Sequence, residues 1–462
     1  MSHVDTAHPA ARRQAGAAWT RGAVLPSLML FLAGSLLRVD VYAIGRISLG
    51  ELILVVLSVG YWGQVLAEAR QIKAIRVYLM LLSLWTFAIL LSDFVNHTGF
   101  DLFFRGVARP LVIVSMFVAC FGLLRKHPRA LLWFFFGLVV SAFGNLIFET
   151  DFRVSDKLDK VTYGYAAFVY TPLIFALTTV GGYLLSRYRA VWPTLLFLAV
   201  SVFVSERFSR TTAASFLVAV LLYHVVLFFQ TSPRARQFTP GAIAVIVIAG
   251  LIGAYIALQI YVGLAIDGIF GDRIAAKVAL QTRAPTGDAV ANMFLSARYG
   301  LVSNFLMMTD SPFVGAGSWP IEGPYVVRAL QYLHMDVSPI IYADIISRRG
   351  TGHSILFGNW ANYGPLVAFF WVYIFIRTIV CYKELLVSRS RVYWLVAPYL
   401  VTFLFSIPFN NLNSLNRVFT ALIPAAMIVL SMAAEQAGRT QPAHPAPTRA
   451  IRRLPGTRPI DA

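Results

Sequence analysis

Runs of roughly 20 mostly apolar residues, the length a helix needs to cross the hydrocarbon of a bilayer, recur between residues 22 and 434 with polar breaks between them. The hydropathy pattern predicts spans near 22–38, 46–64, 77–95, 106–124, 130–148, 165–185, 190–205, 211–230, 241–263, 352–377, 392–408 and 418–434. The expected fold class is therefore an all-α polytopic membrane protein of about twelve transmembrane helices. Composition supports the same class. Over 462 residues 58% are apolar and 13% charged, whereas soluble domains run at about 45–50% and 25%, which excludes a soluble globular enzyme.

The pattern divides the chain into a polar arm at 1–21, nine spans over 22–263, a loop at 264–351, three spans over 352–434 and a tail at 435–462. The first apolar run follows Arg12, Arg13 and Arg21 and lacks a small-residue cleavage site, so it reads as an uncleaved first span. Lys and Arg accumulate in cytoplasmic loops. With the N-terminus inside, Arg70, Lys73 and Arg76, then Arg125, Lys126 and Arg129, then Arg187 and Arg189 fall on that face, with Arg439, Arg449, Arg452, Arg453 and Arg458 in the tail. The net charge of +18 thus records topology, with both termini cytoplasmic, and implies no nucleic-acid partner. The tail, rich in Pro, Ala and Arg, reads as a disordered end able to touch anionic membrane lipid. Cys120 and Cys381 have neither metal nor disulfide spacing. No phosphate-binding glycine loop is present, which argues against an ATP-driven pump.

The loop at 264–351 is the exception among short connections, and long ordered loops usually carry function. Helical stretches such as 289–309 predict a small external helical cap, with the chemistry beneath it. Ionisable groups at membrane depth are costly and informative. Arg105 and Arg109 form an i, i+4 pair at the outer start of the fourth predicted span, and Arg207 and Arg210 an i, i+3 pair at the outer start of the eighth; each pair is expected to share a helix face. Arginine beside a helix N-terminus suits phosphate oxygens, because free N–H groups, the dipole and the guanidinium fork act together. The bland alternative is that these side chains snorkel or pair with Glu206, Asp93 or Asp101.

Within the loop, Ser296-Ala297-Arg298 opens a helical stretch that ends in Asp310-Ser311-Pro312-Phe313-Val314-Gly315-Ala316-Gly317-Ser318-Trp319. A turn-rich segment, Arg348-Arg349-Gly350-Thr351-Gly352-His353-Ser354, leads into the tenth predicted span. That puts His353 in a first helical turn, where the dipole keeps imidazole neutral and able to act as a base; a capping role is the plainer alternative. Glu149-Thr150-Asp151 has a spacing that can share a divalent ion, but Arg153, Lys157 and Lys160 offset its charge, and solvated loop charge accounts for it better. His334, Asp336 and Arg328, with Trp319, Tyr325 and Tyr332, suit a sugar site or, more simply, cap packing. Asn410, Asn411, Asn413, Asn416 and Arg417 make a polar outer loop that fits glycan contact or turn chemistry.

Taken in order, Ser209-Arg210 at a helix start, Arg298 followed by the Asp-Ser-Pro-Phe-Val-Gly-Ala-Gly turn, and Gly-x-His-Ser with Gly364 beyond it resemble the O-antigen ligase and polysaccharide polymerase superfamily of bacterial inner-membrane glycosyltransferases. The resemblance is clearest over 200–370. It implies a GT-C-like fold with one large periplasmic loop and metal-independent, inverting transfer from a glycan on undecaprenyl pyrophosphate, without a cofactor. By position, Arg210 and Arg298 would hold the pyrophosphate and His353 would take the acceptor proton. Arg105, Arg109, Arg207, His334 and Arg349 are further candidates for anion or glycan contact. Ser354 departs from the family, in which asparagine commonly follows the histidine. The implied function is a polymerase of exopolysaccharide or O-antigen repeat units; the near alternative is a ligase handing the glycan to lipid A-core. From another class, a secondary transporter of an anionic lipid or sugar is disfavoured, because paired half-repeats and Gly/Pro-broken spans at matching positions are not evident and the arginines lie at one face.

Overall fold

The computed structural model describes residues 21–42, 46–148, 165–207, 209–231, 252–253, 255–256, 258–269, 271–282, 287–296, 298–335, 345–346, 354–388 and 390–440. The chain is helical. In order, the elements are α1 (Arg21–Ser35), a small antiparallel hairpin of β1 (Asp40–Tyr42) and β2 (Arg46–Ser48), α2 (Leu49–Ser58), α3 (Trp62–Gln71), α4 (Lys73–Val95), α5 (Phe100–Lys126) and α6 (Ala130–Phe148). There follow α7 (Tyr165–Leu185), α8 (Val191–Arg207), α9 (Arg210–Thr231), α10 (Asp272–Gln281), α11 (Ala289–Ser296), α12 (Tyr299–Asp310) and α13 (Gly323–Tyr332). The chain continues through α14 (Ile355–Tyr363), α15 (Leu366–Val387), α16 (Tyr393–Phe409) and α17 (Ser414–Thr440). Among the described residues, five helices are long and apolar enough to cross a membrane: α4, α5, most of α9, α15, and Ser414–Met432 of α17. Shorter apolar helices lie within α1, α6, α7, α8 and α16. The run predicted at 241–263 falls largely outside the described residues.

Two predicted spans are broken. The run at 46–64 becomes α2 and α3, bent by 71°. A capping box starts α2, in which the Ser48 hydroxyl accepts from the Glu51 N–H and the Glu51 carboxylate from the Ser48 N–H. Beyond Gly60 the polar residues Gln64, Glu68, Arg70 and Gln71 turn α3 away from the apolar path, and Val65 is its buried residue. The run at 352–377 becomes α14 and α15, separated at Gly364-Pro365. Gly364 has φ 79° and ψ −179°, a region essentially closed to residues with a side chain. A Cβ there would also stand 2.1 Å from the Phe313 carbonyl oxygen. We expect Gly364→Ala to cost about 2 kcal/mol or more from backbone strain and the collision, read as a lowered melting temperature in detergent. An unchanged melting temperature would mean that the 313 segment yields.

The bundle core is aromatic. Along α4, Tyr78 stacks on Phe117 of α5 at 4.2 Å between centroids, and Trp85 meets Phe370 and Trp371 of α15, each at 5.2 Å. Helix α17 packs against α5 and α15, and Arg417 near its start forms a two-point ion pair with Glu51, at 2.6 and 2.8 Å. A second group joins α7, α8, α9 and α16, centred on Phe175, Phe197, Phe216 and Trp394. Arg417 of one predicted outer segment meets Glu51 of another, and Arg125 of one predicted inner segment meets Glu68 of another at 3.4 Å.

Candidate functional site

The end of α16 is where the segments singled out in the sequence come together. Helix α9 runs antiparallel to α16: the Tyr393 hydroxyl donates to the Ala219 carbonyl at 2.6 Å, and the hydroxyls of Ser215 and Thr402 lie 2.9 Å apart. That register points the Arg210 end of α9 toward the Phe405 end of α16. Ser209 caps this start, its hydroxyl accepting from the Thr212 N–H at 3.3 Å. The expected shared face of Arg207 and Arg210 is corrected: Arg207 closes α8 while Arg210 opens α9, so the two flank a turn. The side chains of both lie outside what is described.

From another direction comes α14. Its N-cap is Ser354, 1% exposed, whose hydroxyl accepts from the Phe357 N–H at 3.0 Å and donates to the Ile407 carbonyl at 3.4 Å. The helix therefore begins after His353, and the expected first-turn position of that histidine is corrected: the extended backbone of Ser354 starts the helix one residue later. His353 and Arg349 themselves lie outside the described residues.

Arg298 arrives from a third direction. The stretch predicted as helical over 289–309 is two helices, α11 and α12, and Arg298 occupies the N-cap position of α12. Its guanidinium sits over the Phe405 ring of α16, 5.0 Å from the centroid. A cavity of about 150 Å³ opens there, with Arg298 and the first turn of α12, Tyr299 to Leu301, on one side and Phe409, Asn410 and Asn411 on the other. Partial desolvation lowers the Arg298 pKa from its usual value, yet a guanidinium keeps its charge in proteins. A cation, the positive end of a twelve-residue helix and two carboxamide residues thus border one concave space, an arrangement suited to an anion. Asn410 is tied through its amide to the Ser406 hydroxyl at 3.0 Å, while Asn411 is exposed.

Other candidates lie elsewhere. Helix α5 starts at Phe100, so Arg105 and Arg109 lie beyond its first turn, not at a helix start. Arg105 is exposed. Arg109 stacks on Trp319 at 4.5 Å and donates to the Tyr363 hydroxyl at 3.5 Å, bonded to the 311–319 segment's surroundings and not to the cavity. His334 has φ 52° and, with Met335 N–H donating to the Leu330 carbonyl at 2.9 Å, forms the left-handed turn that closes α13. Tyr325 is bonded to Asp310, and burial together with that bond raises its pKa; Arg328 pairs with Asp310 at 3.3 Å. Arg417 is spent on Glu51 and on the carbonyls of Arg46 and Leu412. Among the described residues no three His, Cys, Asp or Glu side chains gather as metal ligands; Glu149, Thr150, Asp151 and Asp336 lie outside them.

In sequence, Asn410 and Asn411 read as a polar outer loop fitting glycan contact or turn chemistry, because nothing local says that the end of α16 faces Arg298. No protein-family model and no curated protein matches the chain.

Proposed function

We propose that the chain is a polysaccharide polymerase of an inner bacterial membrane, transferring a glycan from undecaprenyl pyrophosphate to an acceptor sugar hydroxyl at the periplasmic face. The observation that carries this reading is that Arg298 lies over Phe405 and the Ser354 hydroxyl, next in sequence to His353, bonds Ile407, at the end of α16 toward which the Ser215–Thr402 contact directs the start of α9. Pyrophosphate is a good leaving group and needs charge stabilisation more than an acid, whereas a sugar hydroxyl needs a base. In the proposed step His353 takes the hydroxyl proton, the acceptor oxygen forms its bond to the anomeric carbon with inversion, and the bond to the diphosphate breaks. Arg210 and Arg298 hold the departing oxygens, and Asn410 and Asn411 wall the anion.

The same reading includes twelve spans, a GT-C-like plan with α10 to α13 as parts of an external cap, and cytoplasmic termini. It is supported by ion pairs within each predicted face, Glu51 with Arg417 among the outer segments and Glu68 with Arg125 among the inner ones.

The test is transfer by purified protein given a lipid-linked repeat unit, without added metal and in EDTA. Lipid-linked oligomers are expected to lengthen under both conditions, and His353→Ala is expected to lose about 10²–10⁴ in rate, the usual contribution of a positioned base. A parental rate for His353→Ala ends the mechanism. Loss of transfer in EDTA would return the chemistry to a metal, and transfer to lipid A-core alone would make the protein a ligase.

A further inference from the structure

The segment 315–318 is held from two sides. On one, the last turn of α4 grips it: Asp93, 3% exposed, accepts from the backbone N–H of Ser318 at 2.5 Å and from its hydroxyl at 2.7 Å. Ser92 accepts from the Gly317 N–H at 3.1 Å, and the Asn96 amide donates to the Gly315 carbonyl at 3.0 Å. On the other side, the N–H groups of Ala316 and Gly317 donate to the carbonyls of Ala361 and Asn362 at 2.9 and 2.8 Å. Those carbonyls belong to the last turn of α14, where a helix has no acceptors' partners of its own. A loop from the large insert thus caps the helix that begins beside His353, and the same loop follows α12, which begins beside Arg298.

We propose that Asp93 is a positioning residue that fixes both arms of the site through Ser318. Its carboxylate offers two acceptor oxygens on one carbon, matching the two donors that Ser318 presents. With Asp93 in place, the 315–318 turn is docked, α14 is capped at the end remote from His353, and α12 is anchored at the end remote from Arg298. Losing the carboxylate frees the turn, uncaps α14 and lets both arms drift. The inference rests on the transfer reaction proposed above for its catalytic consequence, but the latch itself has a readout of its own.

The test uses full-length protein in detergent, comparing Asp93→Ala, Asp93→Asn, Ser318→Ala and Glu51→Gln, the last a buried acid bonded to Ser48 and Arg417. Hydrogen exchange reports local opening of a helix. Asp93→Ala and Ser318→Ala are expected to speed exchange within 355–363 by about tenfold while leaving 366–387 at the parental rate. Turnover is expected to fall about tenfold or more, since small misplacements of catalytic groups are costly, with the donor KM within about threefold. Asp93→Asn keeps one acceptor and is expected to recover most of both. Glu51→Gln is expected to lower the melting temperature without touching exchange in 355–363.

Parental exchange in 355–363 for Asp93→Ala and Ser318→Ala overturns the latch, and accelerated exchange with undiminished turnover overturns the positioning role of Asp93. Should Asp93→Ala not fold, Ser318→Ala carries the same test. If the parent transfers no glycan, the proposed function fails, and the exchange data still decide whether the latch exists.

Discussion

Arg298→Ala is expected to slow glycan transfer by about a hundredfold or more, the effect of removing one donor aimed at a developing oxyanion. The fall should appear mainly in kcat, because negative charge grows on the diphosphate as its bond to the sugar breaks, so the guanidinium is worth more in the transition state than in the ground state. Arg298→Lys is expected to recover little. A planar guanidinium can lie on the Phe405 ring, 5.0 Å from its centroid, and still present a fork to two oxygens, whereas an ammonium is a point charge that wants water. Phe405→Leu removes the platform and keeps the charge, so a smaller loss is expected, in line with about 0.5–2 kcal/mol for such stacking. A rate for Arg298→Ala within tenfold of the parent would remove Arg298 from the leaving-group site and leave its cavity without a role in transfer.

Arg417→Met is expected to destabilise the protein by about 3–5 kcal/mol, the usual consequence of taking one partner from a buried ion pair. Glu51 is fully buried, and its carboxylate lies 2.6 and 2.8 Å from the guanidinium nitrogens of Arg417. Deleting the cation strands that charge where water cannot reach it. Adding Glu51→Gln to Arg417→Met is expected to recover a large part of the loss, because the amide oxygen can still accept the Ser48 N–H and no charge is left behind. Equilibrium unfolding in detergent measures both. If Arg417→Met unfolds at the parental midpoint, the pair contributes nothing to the joint between the starts of α2 and α17.

Several features were readable in the chain as written. Long apolar runs had to become helices, since an unpaired amide in hydrocarbon costs several kcal/mol, and α4, α5, α15 and α17 answer to predicted spans. Where local chemistry competed with hydropathy, hydropathy misplaced the ends. Ser48 with Glu51 and the polar face of α3 broke one run; Gly364 broke another; Ser354 moved the start of α14 past His353; and Arg207 and Arg210 proved to flank a turn. Each of these signals is local and visible in retrospect, but a sliding average over about twenty residues smooths them away.

Three-dimensional packing decided what no window on the sequence could. Arg109 and Arg298 are the same residue type and were both candidates for anion contact, yet one stacks on Trp319 beside Tyr363 and the other borders a cavity with Asn410 and Asn411. Asp93, read in sequence as a partner for an arginine, holds Ser318, 225 residues away. Sequence determined that the chain is a bundle of apolar helices with its cations unevenly spread, because burial of apolar surface and pairing of backbone groups depend on residue type and period alone. Which polar side chain meets which was left to the tertiary structure, because a hydrogen bond or ion pair depends on ångström-scale distances between segments that only the packed helices bring together.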